Sequence, residues 1–269
     1  MKVRFFELAE RLGRALKAGE LLLCEFSGER SDFVRFNRGS VRQAGSVEQG
    51  YVSLRLIHKR RQASIALALG SEDFATSRAA LDELRGVLED LPEDPWLLVN
   101  EAPRSTMSER RGTLASAAAV TEEVIGTAQG RDLVGIYAGG TICRGFANSL
   151  GQRNWHEVDS FNFDWSLYLD GDKATKSRYA GFDWDRSALE VKMEAAAQQL
   201  GHLAKARRTV EPGDYRTYLA PSAVEELTGL LSWGGFSARA RATKQSPLLR
   251  MESGSVLSQK LTISENTAE

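Results

Sequence analysis

The sequence predicts an α+β protein in which helices pack on antiparallel sheets, followed by an incomplete, β-rich C-terminal domain. Two observations carry the prediction. Segments with apolar residues at helical spacing flank blocks that alternate with a period of two, and the alternating blocks are broken by Asn- and Gly-bearing turns. The alternation is cleanest where Phe161, Phe163, Trp165, Leu167 and Leu169 are apolar while Asn162, Asp164, Ser166 and Asp170 are polar. With 269 residues the chain buries roughly 70–75% of its unfolded surface, enough for a core without staples. The boundary is expected near residue 208, with an N-terminal α+β domain over 1–208 and the β-rich piece over 209–269.

The elements follow in order. Phe5, Leu8, Ala9, Leu12, Ala15 and Leu16 make one stripe of a helix over residues 4–17. ELLLCEFS reads as a strand. From DFVRFN to IALALG, segments broken at Asn37, Gly39, Gly45 and Gly50 read as a three- or four-stranded meander. Ser71 is placed as an N-cap, with Glu72 and Asp73 in the first turn of a helix over 72–91 that buries Leu81, Leu84 and Leu88. Residues 91–111 hold three of the six prolines and many charges, so they read as an exposed, flexible arm. A helix over 113–129 ends at Gly130, and a long hairpin turning around Leu150 and Gly151 follows. Asp185 opens a helix with Leu189, Met193, Ala196, Leu200 and Leu203 in one stripe. Beyond it come a short helix, SAVEELTGLLSW, a loop, GGFSARARATKQS, and strand-like residues from Leu248 to Ile263. Helix, meander, helix over 4–91 and helix, hairpin, helix over 114–208 suggest two related halves, although no residue-level repeat is visible.

Charge narrows the function. Lys and Arg total 35 against 36 for Asp and Glu, and a net charge of −1 makes no field that would gather a polyanion, so no nucleic acid is expected. No run reaches the ~18 apolar residues of a membrane span, and MKVRFFELAERLG is an amphipathic helix rather than a leader, so the expected home is cytoplasmic. The two cysteines, Cys24 and Cys143, sit in strand-like contexts as small buried hydrophobes.

Zinc hydrolysis needs converging ligands, commonly two histidines a helical turn apart beside a carboxylate. The three histidines, His58, His156 and His202, fall in a basic hairpin tip, a strand and a helix, and none has that spacing. Strand parity also puts His156 and Glu157 on opposite sides. No GxSxG elbow and no GxxxxGK loop is present, and the run His58–Arg61 reads as a solvated tip. Arg239 and Arg241, beside Gly234 and Gly235, form a flexible basic loop suited to a peptide carboxylate or an acidic partner.

Three segments together, FNRGSVRQAGSVEQGYVSLRLI, the ANSLG turn at 147–151 and PGDYRTYLAPSAVEELTGLL, give the chain a form that resembles the TldD/PmbA family, once called modulators of DNA gyrase. The resemblance runs from near residue 5 to the end. It implies a two-subunit metalloprotease whose TldD-like member carries a His-Glu-x-x-x-His zinc motif on a helix after the PG-x-Y strand. The TldE or PmbA partner lacks those ligands. At the matching place this sequence reads Leu230, Leu231, Ser232, Trp233, Gly234 and Gly235, and with ARARATKQS it resembles the partner type. The resemblance thus implies a non-catalytic subunit with no cofactor and no catalytic or metal-binding residue of its own. Zinc is expected only in a TldD-like partner, and unfolded or small peptides are the substrates. Association with itself is the other expected pairing. Peptide- or partner-binding residues are expected at Asn148, Ser149, Gly151, Arg239 and Arg241, with strand addition as the mode. Family members continue further through the β-rich domain, so the strands after Leu248 are expected to leave an edge open. The alternatives are a stand-alone interaction module using that edge, or a truncated remnant.

Overall fold

The computed structural model describes residues 1–70 and 73–264, in two compact units, Met1–Arg207 and Arg208–Glu269. The first unit is built on one seven-stranded sheet. Its elements are α1 (Lys2–Gly13), β1 (Leu21–Asn37), β2 (Ser40–His58), β3 (Arg61–Ala68), α2 (Asp73–Asp90), β4 (Thr106–Arg110), α3 (Ala117–Thr127), β5 (Asp132–Asn148), β6 (Arg153–Asp170), β7 (Lys173–Gly181) and α4 (Arg186–Leu203). The strand order is β3-β2-β1-β5-β6-β4, with β7 also on β6, and every pairing is antiparallel except β4 with β6. The expected α+β class with antiparallel strands under helices is therefore what the chain forms.

The two halves are built alike. Each is a helix, three antiparallel strands and a helix; β1 and β5 are both 17 residues long, α2 and α4 both 18. The halves join where β1 pairs antiparallel with β5, from Leu23↔Asn148 to Phe36↔Gly135. Likeness extends to residues. Phe26 and Gly28 stand sixth and eighth in β1, Tyr137 and Gly139 sixth and eighth in β5. A Cβ on Gly28 would lie 2.7 Å from the Phe26 ring, and one on Gly139 would lie 2.7 Å from Cζ of Tyr137, so in each half the glycine clears space for the aromatic ring before it.

All four helices pack on one face of the sheet, over two apolar clusters. Phe5, Leu8 and Leu12 of α1 and Leu81, Leu84 and Leu88 of α2 cover Leu22, Cys24, Phe26, Leu54 and Trp155. Val120 and Val124 of α3 and Leu189, Met193 and Ala196 of α4 cover Leu133, Tyr137, Phe163, Trp165 and Leu167. Full burial of such side chains contributes roughly 1.5–3 kcal/mol each. On the other face Tyr51, Val134, Ile136, Ile142 and Tyr168 are 36–46% exposed.

Several details depart from expectation. The first helix stops at Gly13 rather than residue 17, and Glu20 then caps a turn by accepting from Lys17 N at 2.7 Å. ELLLCEFS and DFVRFN are one continuous strand, since Gly28 serves ring packing and makes no turn. Two-residue turns at Arg38–Gly39 and Lys59–Arg60, all four at positive φ, set a three-stranded meander. The N-cap placed at Ser71, with Glu72, lies outside the described residues; α2 is described from Asp73. The supposed arm 91–111 contains β4, whose five residues are all exposed and carry no alternation to betray them. β7 was not foreseen either: KATKSRYAG turns only Thr175 and Tyr179 inward among charged neighbours.

The described residues of the second unit hold α5 (Pro221–Ser232), α6 (Ala238–Ala242) and a 3-10 helix at Leu249–Ser253. The strands expected from Leu248 to Ile263 are not formed there. A strand needs a hydrogen-bonding neighbour, and the described residues of this unit offer none.

Candidate functional site

Where the halves meet, the helix-bearing face changes character. Ladder register lines up Glu48, Arg30, Thr141 and Asp159 in one row across four strands, and this polar row separates the two apolar clusters. The adjoining row brings Cys143, Glu157 and Glu109 side by side. Arg30 pairs with Glu48 at 3.0 Å, and Thr141 donates to Asp159 at 2.7 Å. Arg111, just past β4, reaches over both carboxylates, 2.6 Å from Glu157 and 3.5 Å from Asp159. Glu157 also accepts from Trp155 Nε1 at 3.2 Å, and the Cys143 thiol points at it from 3.7 Å.

The electrostatics follow from this packing. Burial pushes the Glu157 carboxyl up, but Arg111 and the Trp155 indole together hold it below its usual range, so it is charged at neutral pH. Burial and the neighbouring Glu157 push the Cys143 thiol up to about 11, and burial alone takes Cys24 to about 12. Neither is a thiolate at neutral pH, so neither is primed as a nucleophile. The row can offer charge and hydrogen bonds to a polar ligand. Its donors are already matched among themselves.

The His156–Glu157 dipeptide divides as parity requires: Glu157 shares the Trp155 side and His156 is exposed on the other. His58 Nδ1 is 3.0 Å from the Gly19 carbonyl oxygen, and His202, in the last turn of α4, neighbours Lys205 just past the helix end. Among the described residues no group of three or more His, Cys, Asp or Glu side chains is gathered as for a metal ion.

The residues singled out by sequence fall in separate places. Asn148, Ser149 and Gly151 form the β5–β6 turn. Asn148 Oδ1 accepts from Leu150 N and Gln152 N at 3.0 Å each, Ser149 Oγ accepts from Leu22 N at 3.1 Å, and Gly151 sits at φ +95°. The side chains of Asn148 and Ser149 therefore serve the turn and its docking on β1. Arg239 and Arg241 belong to the second unit, in α6 rather than a loop. Arg241 pairs with Glu252 at 2.8 Å, Lys244 joins the same carboxylate at 2.9 Å, and a cavity of about 690 Å³ opens beside Phe236, Arg241, Leu248 and Met251. Sequence reasoning missed Arg111, Glu157 and Asp159 as a cluster. The signal was available, since parity counted back from Phe161 puts both carboxylates on the apolar face.

No protein-family model and no curated protein matches the chain. The fold is shared with solved structures. TldE from Thermococcus kodakarensis aligns with TM-score 0.55 and 15% identity over 73% of this chain and 47% of that one. A Thermotoga maritima MSB8 protein provisionally described as a modulator of a DNA gyrase aligns with TM-score 0.65 and 14% identity, over 92% and 57%. A Bacteroides thetaiotaomicron protein with a similar provisional description aligns at 0.50 and 16%, over 72% and 49%. The chain spans about half the length of these structures, and at such identities the likeness is one of fold.

Proposed function

We propose that this chain is a TldE-like, non-catalytic subunit of a TldD/TldE-type metalloprotease acting on unfolded or small peptides. What supports the reading is the fold shared with TldE, taken with the residues at the position where the sequence resemblance puts the zinc motif. There the chain has the end of α5 and the following turn, Leu230 to Gly235, in which no side chain is a histidine or carboxylate. On this reading zinc and the water it activates belong to a TldD-like partner, the two chains form a heterodimer, and this subunit shapes the peptide chamber. Asn148, Ser149, Gly151, Arg239 and Arg241 remain its proposed peptide- or partner-facing positions. A cytoplasmic setting suits two free, protonated thiols; among the described residues no helix is long and apolar enough to cross a membrane.

The test is co-purification with a TldD-like chain followed by sizing and metal analysis. A 1:1 complex with zinc on the partner is the expected result. Stoichiometric zinc in this chain alone, or failure to form the complex, overturns the proposal.

A further inference from the structure

We propose that the free edge of β3, with the groove between it and α2, receives an extended, uncharged peptide segment of another chain as an added strand. The inference needs only the geometry of the first unit and stands apart from the protease reading. His58 and Arg61 flank the two-residue turn Lys59–Arg60, so they exchange main-chain hydrogen bonds, and along β3 alternate residues do the same. Ala63, Ile65 and Leu67 thus bond to β2, a set continued by Leu69 N, which donates to the Gly50 carbonyl at 2.8 Å. The groups of Gln62, Ser64, Ala66 and Ala68 point outward. The connection after α2 covers the start of this edge: Asp94 N donates to the Arg60 carbonyl at 2.8 Å, and Gln62 donates to the Asp94 carboxylate at 2.6 Å. From Ser64 to Ala68 the outward groups have no partner among the described residues.

An open edge is normally blunted by charge or proline. The opposite edge follows that rule, with Lys173, Lys176 and Arg178 along β7 and Arg110 closing β4. From Ala63 to Gly70 the β3 edge has neither. Beside it lies a cavity of about 260 Å³, lined by Leu67, Leu69, Asp73, Thr76 and Ser77. Val87, further along α2, is 44% exposed. A strand laid on β3 would bond through its main chain, and one short apolar or hydroxylated side chain would enter the cavity. An edge without charge offers nothing to discriminate sequence, so the occupant is chosen by its extended backbone and lack of charge. A second copy of this chain fits less well, because a contact confined to Ala63–Ala68 falls short of the about 1,200 Å² that stable protein–protein interfaces bury.

The test uses the full chain and a fluorescein-labelled, terminally blocked peptide of alternating valine and threonine, followed by fluorescence anisotropy. Saturable binding is expected. Ala66→Pro removes one outward N–H without touching the ladder to β2 and should weaken binding at least about tenfold. The same peptide N-methylated at every residue, which leaves neither of its edges a main-chain donor, should fail to bind unaltered protein, which keeps the test independent of how the variant folds. Equal binding of the methylated peptide, no binding by unaltered protein, or an Ala66→Pro variant that folds and binds undiminished each overturns the proposal. So does a dimer of the unaltered chain that Ala66→Pro dissociates, since the edge would then belong to a second copy.

Discussion

In the first half of the sheet the helices are tied down by charge. Arg85 on α2 reaches Glu20 at 2.7 Å and the Ala15 carbonyl at 2.9 Å, and the paired side chains are only 10% and 6% exposed. In the second half the corresponding ion pair, Arg131 just before β5 with Glu194 of α4 at 2.7 Å, is far more exposed, its side chains 30% and 57% accessible, and the other ties are rings and neutral donors. Trp184 donates to Glu123 of α3 at 2.8 Å, Tyr179 Oη accepts from Asp185 N at 2.9 Å, and Phe161 meets the rings of Tyr179 and Trp184 edge-on at 4.8 and 5.0 Å. The apolar parity of the strands is the same in both. The layout of a helix–meander–helix unit is thus set by which strand positions are apolar, while the fastening of helix to sheet is free to change.

Substitutions can break this contrast, and the largest effect falls on the charged side. Arg85→Ala leaves Glu20 nearly buried without its partner and should cost about 3–5 kcal/mol, read as a shift of the urea midpoint; a loss below about 1 kcal/mol would mean the pair fastens nothing. Next come the paired glycines. Gly139→Ala drives a methyl toward the buried Tyr137 ring and should cost about 2 kcal/mol, and Gly28→Ala, against the Phe26 ring, about 1 kcal/mol. If neither moves the midpoint, the shared ring-over-glycine packing has no energetic weight. Trp184→Phe keeps the ring cluster but removes the donor to Glu123, for about 1 kcal/mol by the same measurement.

The smallest effect is a slope. Arg85 holds the Glu20 carboxyl below its usual range of about 4.5, despite burial. A depressed carboxyl stabilises the fold above its unfolded pKa, and that contribution disappears as pH falls through the folded value. Stability should therefore decline as pH drops below 4.5, and Glu20→Gln should flatten that decline in an acid titration of unfolding. An unchanged slope in the variant would remove Glu20 from the account.

The sequence made some of this readable and hid the rest for physical reasons. α2, α4 and the inward set of β6 were legible because one-sided burial leaves its period in the residues. β4 was hidden because all five of its residues are exposed, and β7 because only two of its residues are buried. The residues after Leu248 misled in the opposite way, since apolar content suggests a strand but only a neighbour makes one. The turn at Asn148–Gly151 was legible as a turn, whereas the polar row was not legible, because register between distant strands decides who faces whom.

The join between β1 and β5 has a consequence for how the chain is made. When residues 1–90 leave the ribosome they can assemble their own helix–meander–helix, yet one side of β1 must wait, unpaired, for a strand still being synthesised. During that interval the waiting strand presents Leu23 to Phe36 to any extended neighbour, another nascent copy included. Vulnerability in biosynthesis is thereby concentrated at the seam that later becomes the middle of the finished sheet.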